Sequence, residues 1–312
     1  MDRSELVAQM RPFSLDNKAT LLEKDYFRGY GIDLENKLED VGHTFGYVDT
    51  KVFRIATHLY SCKNPKGTVF LLHGYYDHVG LFEHIIRFFL EQNLNVLAYD
   101  LPGHGLSRGE SATIEDFDDY RQTLEDILAF SDCLLPKPWF AYGQSTGCAI
   151  ITDFLNDLAV QMQPAPFQQV ILSAPLVRPY LWWLARIQFY IAQPFVKQIP
   201  RTFKNNCRDA DFIQKAHNDP LAPTVLPTQW VASMNRWIKK IEASSVQIPV
   251  PAFILQGTDD KTVDGPHNVK VLSRLYVESS TLWLENARHH LPNELRATRE
   301  QYLSWLSDRV NV

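Results

Sequence analysis

The stretch Gly143-Gln144-Ser145-Thr146-Gly147 decides the fold of this chain. It follows the apolar residues 139–142 and precedes a helical pattern over residues 149–155. A G-x-S-x-G pattern between a strand and a helix is typical of a tight turn that holds a serine hydroxyl clear of the backbone. The residues two before and two after the serine crowd together in such a turn, so both must be small. The pattern makes Ser145 a candidate nucleophile, and the alternative is an ordinary loop rich in Gly and Ser.

Short apolar strands alternate with helical patterns on both sides of this turn. Apolar runs predict strands that are buried on both faces of a sheet, at 68–72, 95–99, 139–142, 169–173, 252–256 and 281–284. Helices are predicted at 82–91, 113–132 and 292–310. Residues 41–61 are predicted to form two antiparallel strands. The repeated strand–helix units predict an α/β fold with a doubly wound, mostly parallel sheet.

The alternation is interrupted once, between residues 176 and 247, where prolines divide several short helical patterns. We expect this insertion to form a helical cap (lid) over the carboxyl ends of the strands, where such sheets bind ligands. The predicted organisation is an N-terminal extension of helices and loops at 1–40, a core formed by 41–175 and 248–312, and a cap at 176–247. The length of 312 residues fits one domain of about 240 residues with an insertion.

Candidate partners for the serine follow the last two predicted strands. A serine hydroxyl is a weak nucleophile at neutral pH and needs a base that is oriented by a carboxylate. In folds of this kind the chain order is serine, acid, histidine. The adjacent acids Asp259 and Asp260 follow one late strand, and the adjacent histidines His289 and His290 follow the last strand. The residue pattern therefore predicts a serine–histidine–acid site and leaves two choices open at each of the latter positions.

Two backbone amides are expected to stabilise an oxyanion beside the serine. The loop after the strand at 68–72 begins His73-Gly74-Tyr75, and Gly74 lets the chain turn so that the Tyr75 amide can face the serine. The second amide is that of Thr146, at the start of the helix that follows the turn. Donors in this arrangement stabilise the negative charge that develops on a carbonyl oxygen during acyl transfer.

Together these motifs resemble the α/β-hydrolase superfamily. More narrowly, the chain is similar to the branch of monoacylglycerol lipases and bacterial lysophospholipases, often described as serine aminopeptidase-like hydrolases. The resemblance runs from about residue 40 to the C-terminus. It is carried by the turn around Ser145 and by the segments 73–78, 100–107, 172–175, 257–260 and 287–294.

The resemblance implies a function and resolves two choices. Spacing in this branch selects Asp260 over Asp259 and His289 over His290. The implied activity is that of a serine hydrolase that cleaves carboxylic esters of lipid-like substrates, lysophospholipid or monoacylglycerol, through an acyl-enzyme. No metal or organic cofactor is implied. The alternatives are an aminopeptidase-like or small-ester hydrolase of the same fold and, in another class, a non-catalytic ligand-binding protein.

The predicted cap differs from the rest of the chain in charge and aromatic content. It carries ten Lys or Arg and four Asp or Glu, a formal charge of +6 against −11 for the remainder, and four of the seven tryptophans. One interpretation is that its aromatic side chains pack the cap onto the core. The other is an apolar tunnel for an acyl chain with an outer face that contacts a membrane. An aminopeptidase must bind a free amine, so the basic cap favours an ester substrate.

Composition bounds the remaining classes. A net charge of −5 gives no indication of nucleic-acid binding. Charged residues spread over the first thirty positions leave no apolar core for a signal peptide, and no later segment has the length needed to cross a bilayer. The four cysteines are scattered without a C-x-x-C pattern, which favours reduced thiols. We expect a cytoplasmic protein, peripheral at the inner membrane face through its cap, and its oligomeric state is not predicted.

Overall fold

The structure, a computed structural model, describes residues 2–310 and is built on an eight-stranded sheet. The strands of the described chain are β1 (Val41–Asp49), β2 (Arg54–Cys62), β3 (Thr68–Leu72), β4 (Asn95–Tyr99), β5 (Trp139–Gln144), β6 (Phe167–Ser173), β7 (Gln198–Pro200), β8 (Val225–Pro227), β9 (Ala252–Gly257) and β10 (Ser279–Leu284). The large sheet has the order β1-β2-β4-β3-β5-β6-β9-β10. Strand β2 runs antiparallel to both of its neighbours, and all other pairs are parallel.

Apolar side chains cover both faces of this sheet. Along β3, Phe70 and Leu72 join one buried cluster, whereas Val69 and Leu71 join the other. This alternation follows from the two-residue period of a strand. The helices are α1 (Arg3–Gln9), α2 (Leu21–Tyr30), α3 (Glu83–Glu91), α4 (Asp118–Ser131), α5 (Thr146–Val160), α6 (Trp182–Ala192), α7 (Ala210–His217), α8 (Thr228–Ala243), α9 (Gly265–Leu275) and α10 (Arg296–Ser307). The doubly wound, mostly parallel α/β fold expected from the sequence is confirmed.

Two predicted helix starts are wrong. Helix α4 begins at Asp118 rather than at Thr113, because the Asp119 carboxylate accepts the amides of Glu115 and Asp116 at 2.9 and 3.2 Å and holds them in a loop. Helix α10 begins at Arg296, after a short 3₁₀ turn over Leu291–Asn293. Both errors concern boundaries and do not alter the order of the elements.

The insertion between β6 and β9 combines helices with a small sheet. Helices α6, α7 and α8 lie in it, together with the antiparallel pair β7–β8, which the sequence pattern did not predict. We call residues 176–247 the cap. Three of its tryptophans are buried, and Trp230 stacks on Tyr75 with ring centroids 3.7 Å apart. These buried rings favour packing of the cap onto the core, whereas the fourth, Trp183, is exposed.

The N-terminal extension packs closely on the rest of the chain. Helix α2 begins with a capping box between Thr20 and Glu23, and its buried Tyr26 and Phe27 join the cluster on the α3 side of the sheet. The Arg3 guanidinium donates to two carbonyl oxygens of the loop after β4. Among residues 2–310, no helix has both the length and the apolarity that crossing a membrane requires.

Candidate active site

Ser145 lies on a strained turn between β5 and α5. Its φ is 51° and its ψ is −107°, a conformation that a non-glycine residue rarely adopts. A Cβ on Gly143 would lie 2.6 Å from the Cys148 nitrogen, and one on Gly147 would lie 2.2 Å from the Leu72 carbonyl oxygen. Both glycines are therefore required by close backbone contacts. The turn presents the Ser145 side chain at the carboxyl end of β5.

The Asp260 carboxylate is fully engaged by hydrogen bonds. Its Oδ2 lies 2.8 Å from Nδ1 of His289 and accepts from the Gln256 amide at 3.1 Å, while its Oδ1 accepts from the backbone N–H of Thr262 and Val263. Burial opposes ionisation of this carboxyl group, but the charge and hydrogen bond of His289 and the two backbone donors outweigh it and lower the pKa of Asp260. Asp260 is thus held as a carboxylate beside His289.

This pairing fixes the proton on the His289 ring. An ionised carboxylate only accepts, so Nδ1 carries the hydrogen and Nε2 remains as the basic nitrogen. The Gln144 side chain donates to the His289 carbonyl oxygen at 3.0 Å and so ties the residue before Ser145 to the histidine loop. No hydrogen bond joins the Ser145 hydroxyl to His289 in the described chain, and such bonds are often long before substrate binds.

The two alternative residues have other partners. Asp259 lies 3.5 Å from the Arg288 guanidinium and 3.8 Å from that of Arg208. The Nε2 of His290 lies 3.4 Å from the Asp77 carboxylate. The structure therefore brings Asp260 and His289 together and directs Asp259 and His290 elsewhere.

The two predicted oxyanion donors lie at the same edge of the sheet. A Cβ on Gly74 would lie 3.4 Å from that of Ser145, so the loop that carries Tyr75 packs directly against the candidate nucleophile. Neither the Tyr75 amide nor the Thr146 amide donates to an acceptor anywhere in residues 2–310. Both N–H groups are therefore free to bind an anionic oxygen.

His73 holds the Tyr75 loop in place, a role that the sequence did not reveal. Its Nε2 accepts from the Leu101 amide at 2.8 Å, and its Nδ1 donates to the Gly74 carbonyl oxygen at 2.7 Å. Burial lowers the pKa of His73 to about 3, so the ring is neutral and can make both bonds. The histidine before Gly74 was the available signal, but its partner is distant in sequence.

A second buried histidine–carboxylate pair joins three parts of the chain. The Nε2 of His78 donates to Oδ2 of Asp219 at 2.8 Å, and the Tyr30 hydroxyl donates to Oδ1 at 2.6 Å. His78 belongs to the loop after β3, Asp219 to the cap and Tyr30 to α2. Sequence reasoning missed this contact, because no local pattern links positions so far apart.

Metal-binding residues were not expected from the sequence. Over the part of the chain that the structure describes, no group of three or more His, Cys, Asp or Glu side chains is placed to hold a metal ion. The His–Asp pairs named above, including Asp77 with His290, each have only one carboxylate and one imidazole.

Comparison with known proteins agrees with this architecture. A family model described as serine aminopeptidase, S33 (Hydrolase_4) matches residues 63–296. The chain is 26% identical over 256 residues to a monoglyceride lipase homolog of Monkeypox virus, covering 79% of this chain and 91% of that protein. It is 24% identical over 259 residues to human monoglyceride lipase, covering 79% of this chain and 84% of that protein.

Solved structures share the fold. A soluble variant of monoglyceride lipase from Saccharomyces cerevisiae, in complex with a substrate analog, superposes with a TM-score of 0.71 at 16% identity, covering 84% of this chain and 92% of that chain. A monoacylglycerol lipase from Paleococcus ferrophilus gives a TM-score of 0.68 at 18% identity, covering 82% and 98%. The chain belongs to the serine aminopeptidase S33 family, within the monoacylglycerol lipase branch of the α/β-hydrolase superfamily.

Proposed function

We propose that this protein is a serine hydrolase that cleaves carboxylic esters of lipid-like substrates, lysophospholipid or monoacylglycerol, through an acyl-enzyme. One observation carries the proposal: a buried Asp260–His289 pair, joined at 2.8 Å, is tied through Gln144 to a serine held in a strained turn. The monoglyceride lipases among its relatives support a lipid ester as the substrate.

In the first half of the reaction, Ser145 attacks the ester carbonyl carbon. His289 Nε2 takes the hydroxyl proton, and Asp260 stabilises the imidazolium that forms. The amides of Tyr75 and Thr146 donate to the oxyanion. The carbon–oxygen bond to the alcohol then breaks, and the alcohol leaves with the proton from His289. The acyl group remains on Ser145.

In the second half, water replaces the alcohol. His289 takes a proton from the water as it attacks the acyl-enzyme, and the same two amides bind the second oxyanion. Collapse of this intermediate returns the proton to Ser145 and releases the carboxylic acid. His289 thus carries out every proton transfer of the proposed reaction.

The test compares variants on a short-chain nitrophenyl ester and on a long-chain monoacylglycerol. Ser145→Ala is expected to abolish hydrolysis of both esters and labelling by a fluorophosphonate probe, with an unchanged melting temperature. Asp260→Asn is expected to lower kcat about 10⁴-fold, because the histidine would lose its carboxylate partner. Asp259→Asn is the matched control and is expected to keep wild-type turnover. Full activity in Ser145→Ala would refute the proposal.

The aminopeptidase alternative is tested with an aminoacyl anilide in the same assay. We expect esters to be cleaved and the anilide to be left intact, because the cap carries a formal charge of +6 and a free amine is a cation. Turnover of the anilide that exceeds turnover of the monoacylglycerol would reverse this assignment.

We also propose that the cap contacts a lipid surface through α6 and the residues after it. Four exposed apolar side chains follow one another at four-residue intervals along α6 and the residues after it. They are Trp183 (63% exposed), Ile187 (51%), Ile191 (68%) and Phe195 (86%). Four-residue spacing places successive side chains on one face of a helix. An exposed apolar stripe on a basic cap suits the interface of an anionic bilayer.

The membrane proposal is tested by cosedimentation with vesicles of phosphatidylcholine and phosphatidylglycerol. Ile191→Glu with Phe195→Glu is expected to reduce binding at least tenfold, because two apolar side chains would be replaced by carboxylates facing anionic lipid. Met162→Glu is the control, since Met162 is 94% exposed on the core, after α5. An equal loss of binding in the control, or no loss in the double variant, would contradict the proposal.

A further inference from the structure

A small cavity lies beside the candidate active site. Its volume is about 40 Å³, and its lining includes Tyr76, Asp77, Arg201, Asn206 and His290. A cavity of that volume has space for roughly three water molecules. A Cβ on Gly74 would lie 2.7 Å from the Asp77 carboxylate and 3.4 Å from the Ser145 Cβ, so the cavity lies close to the candidate nucleophile.

Arg201 reaches this cavity from the cap. Its guanidinium carbon lies 4.2 Å from the ring centroid of Tyr76 and 4.3 Å from that of Phe203. One of its nitrogens donates to the Pro223 carbonyl oxygen at 3.2 Å. The two rings and the carbonyl hold the guanidinium in a fixed orientation.

Arg201 has no carboxylate partner within 4.0 Å among residues 2–310. Burial lowers the pKa of Arg201, but a guanidinium keeps its charge at neutral pH. Four of its five N–H groups therefore have no acceptor in the described chain. A fixed, partly buried cation with free donors is suited to binding an anion.

Two carboxylates, those of Asp77 and Asp219, line the same cavity. Both side-chain oxygens of Asp219 accept hydrogen bonds, from Tyr30 and His78. The Asp77 carboxylate faces His290 at 3.4 Å. Burial opposes ionisation of Asp77, but the neighbouring His290 outweighs burial and lowers the pKa of Asp77 to about 2. The Lys and Arg side chains that line the cavity are Arg201 and Lys204, and Arg201 is the one whose guanidinium is held by two aromatic rings and a carbonyl oxygen.

We infer that Arg201 binds a phosphate group on the alcohol half of the substrate. The inference deepens the proposed function and rests on it. Arginine donates two parallel hydrogen bonds to a phosphate group, whose negative charge strengthens them. The hydroxyl groups of glycerol carry no negative charge to pair with the guanidinium. An ester of glycerol phosphate would place its phosphate in this cavity while its carbonyl carbon meets Ser145. Arg201 then acts as a specificity residue that favours lysophospholipid over monoacylglycerol.

The experiment measures kcat/KM for a monoacylglycerol and for the acylglycerol 3-phosphate with the same acyl chain. Wild type is expected to prefer the phosphate ester. Arg201→Gln should lower the ratio of the two values about 10- to 100-fold, which corresponds to the loss of hydrogen bonds to a charged group. Arg201→Lys, which keeps the charge but loses the paired donors, should give an intermediate ratio. Arg208→Gln removes one charge from the cap elsewhere and should leave the ratio unchanged.

The outcomes separate this inference from the proposed function. If neither ester is cleaved in a Ser145-dependent manner, the proposed function fails. If monoacylglycerol is cleaved but Arg201→Gln leaves the ratio unchanged, only the role of Arg201 is overturned. Inorganic phosphate is tested as an inhibitor of monoacylglycerol cleavage. Arg201-dependent inhibition without preference for the phosphate ester would identify a site for the free ion and overturn the substrate assignment.

Discussion

Within residues 2–310, two buried histidine–aspartate pairs have the same separation, 2.8 Å, and different surroundings. His289 and Asp260 lie 2.8 Å apart at the candidate active site, and His78 and Asp219 lie 2.8 Å apart between the core and the cap. Distance and burial alone do not distinguish them. The difference lies in what each imidazole does with its second nitrogen.

The second nitrogen of His78 is occupied, since its Nδ1 accepts from the Gly80 amide at 3.1 Å. The second nitrogen of His289, Nε2, makes no hydrogen bond within residues 2–310. A histidine with both nitrogens engaged can hold parts of a fold together but cannot accept a further proton without losing a bond. Spare hydrogen-bonding capacity therefore marks the pair that is suited to chemistry.

The largest expected effect is the loss of turnover when the His289 imidazole is removed. His289→Gln should lower kcat at least about 10⁴-fold, because glutamine cannot accept the serine proton. The free energy of unfolding should change by less than about 1 kcal/mol, since glutamine can still donate to Asp260. Steady-state kinetics and urea unfolding on the same sample measure the two quantities. A loss of stability as large as that in the next variant would remove the distinction between the pairs.

The second variant replaces His78, and its main expected effect is on stability. His78→Gln should reduce the free energy of unfolding by about 3 kcal/mol, toward the cost of leaving one partner of a buried pair unmatched. Its kcat should fall by no more than about tenfold, because His78 touches no reacting atom. A double-mutant cycle with Asp219→Asn isolates the coupling between the two side chains. Independent, additive losses would contradict a direct role for the pair.

The smallest expected effect for a single side chain concerns the pH dependence of stability. Burial lowers the pKa of four further histidines: His43, His58, His73 and His104. The unfolded chain binds protons below its histidine pKa of about 6.5, whereas a histidine whose pKa is lowered by folding binds them only at lower pH. Burial lowers the pKa of His73 to about 3 and that of His104 to about 4, so each of these two removes about 1.4 kcal/mol of stability by pH 5.5.

Other buried groups shift in the opposite sense. Burial alone would lower the pKa of His78, but Asp219 outweighs it and raises the pKa. Burial raises the pKa of the carboxyl groups of Asp100 and Asp153. These three groups gain protons more readily in the folded state and offset part of the loss on acidification. Urea unfolding at pH 7.5 and 5.5 should show a net decrease, steeper in His78→Gln. A flat or rising profile would contradict the assignment of the four histidines.

Local patterns were sufficient for the core and for the candidate residues of the site. The turn around Ser145 and the alternating apolar strands are encoded within a few residues each, so their order along the chain predicts the sheet. The choice of Asp260 and His289 needed the family resemblance, because two acids and two histidines stand side by side. The hydrogen bond between them agrees with that choice, and their catalytic roles stay a prediction.

Long-range contacts could not be predicted in the same way. Asp219 and Arg201 have no motif of their own, and their partners Tyr30 and Tyr76 lie more than one hundred residues away. The β7–β8 pair was also missed, because strands of three residues carry almost no periodic signal. The start of α4 depended on the Asp119 side chain folding back on its own loop, which propensity does not describe.

The contact between Tyr30 and Asp219 has a consequence for chimeric enzymes. The family match begins at residue 63, so α2 lies outside it, yet a tyrosine of that helix contacts the cap. Lys215 of the cap adds a second bond, to the Tyr30 carbonyl oxygen at 3.0 Å. Replacing the cap with that of a distant homologue would change only the cap side of this contact and leave α2 unchanged. Helix α2 would have to be exchanged together with the cap. Natural sequences should vary in concert at these positions.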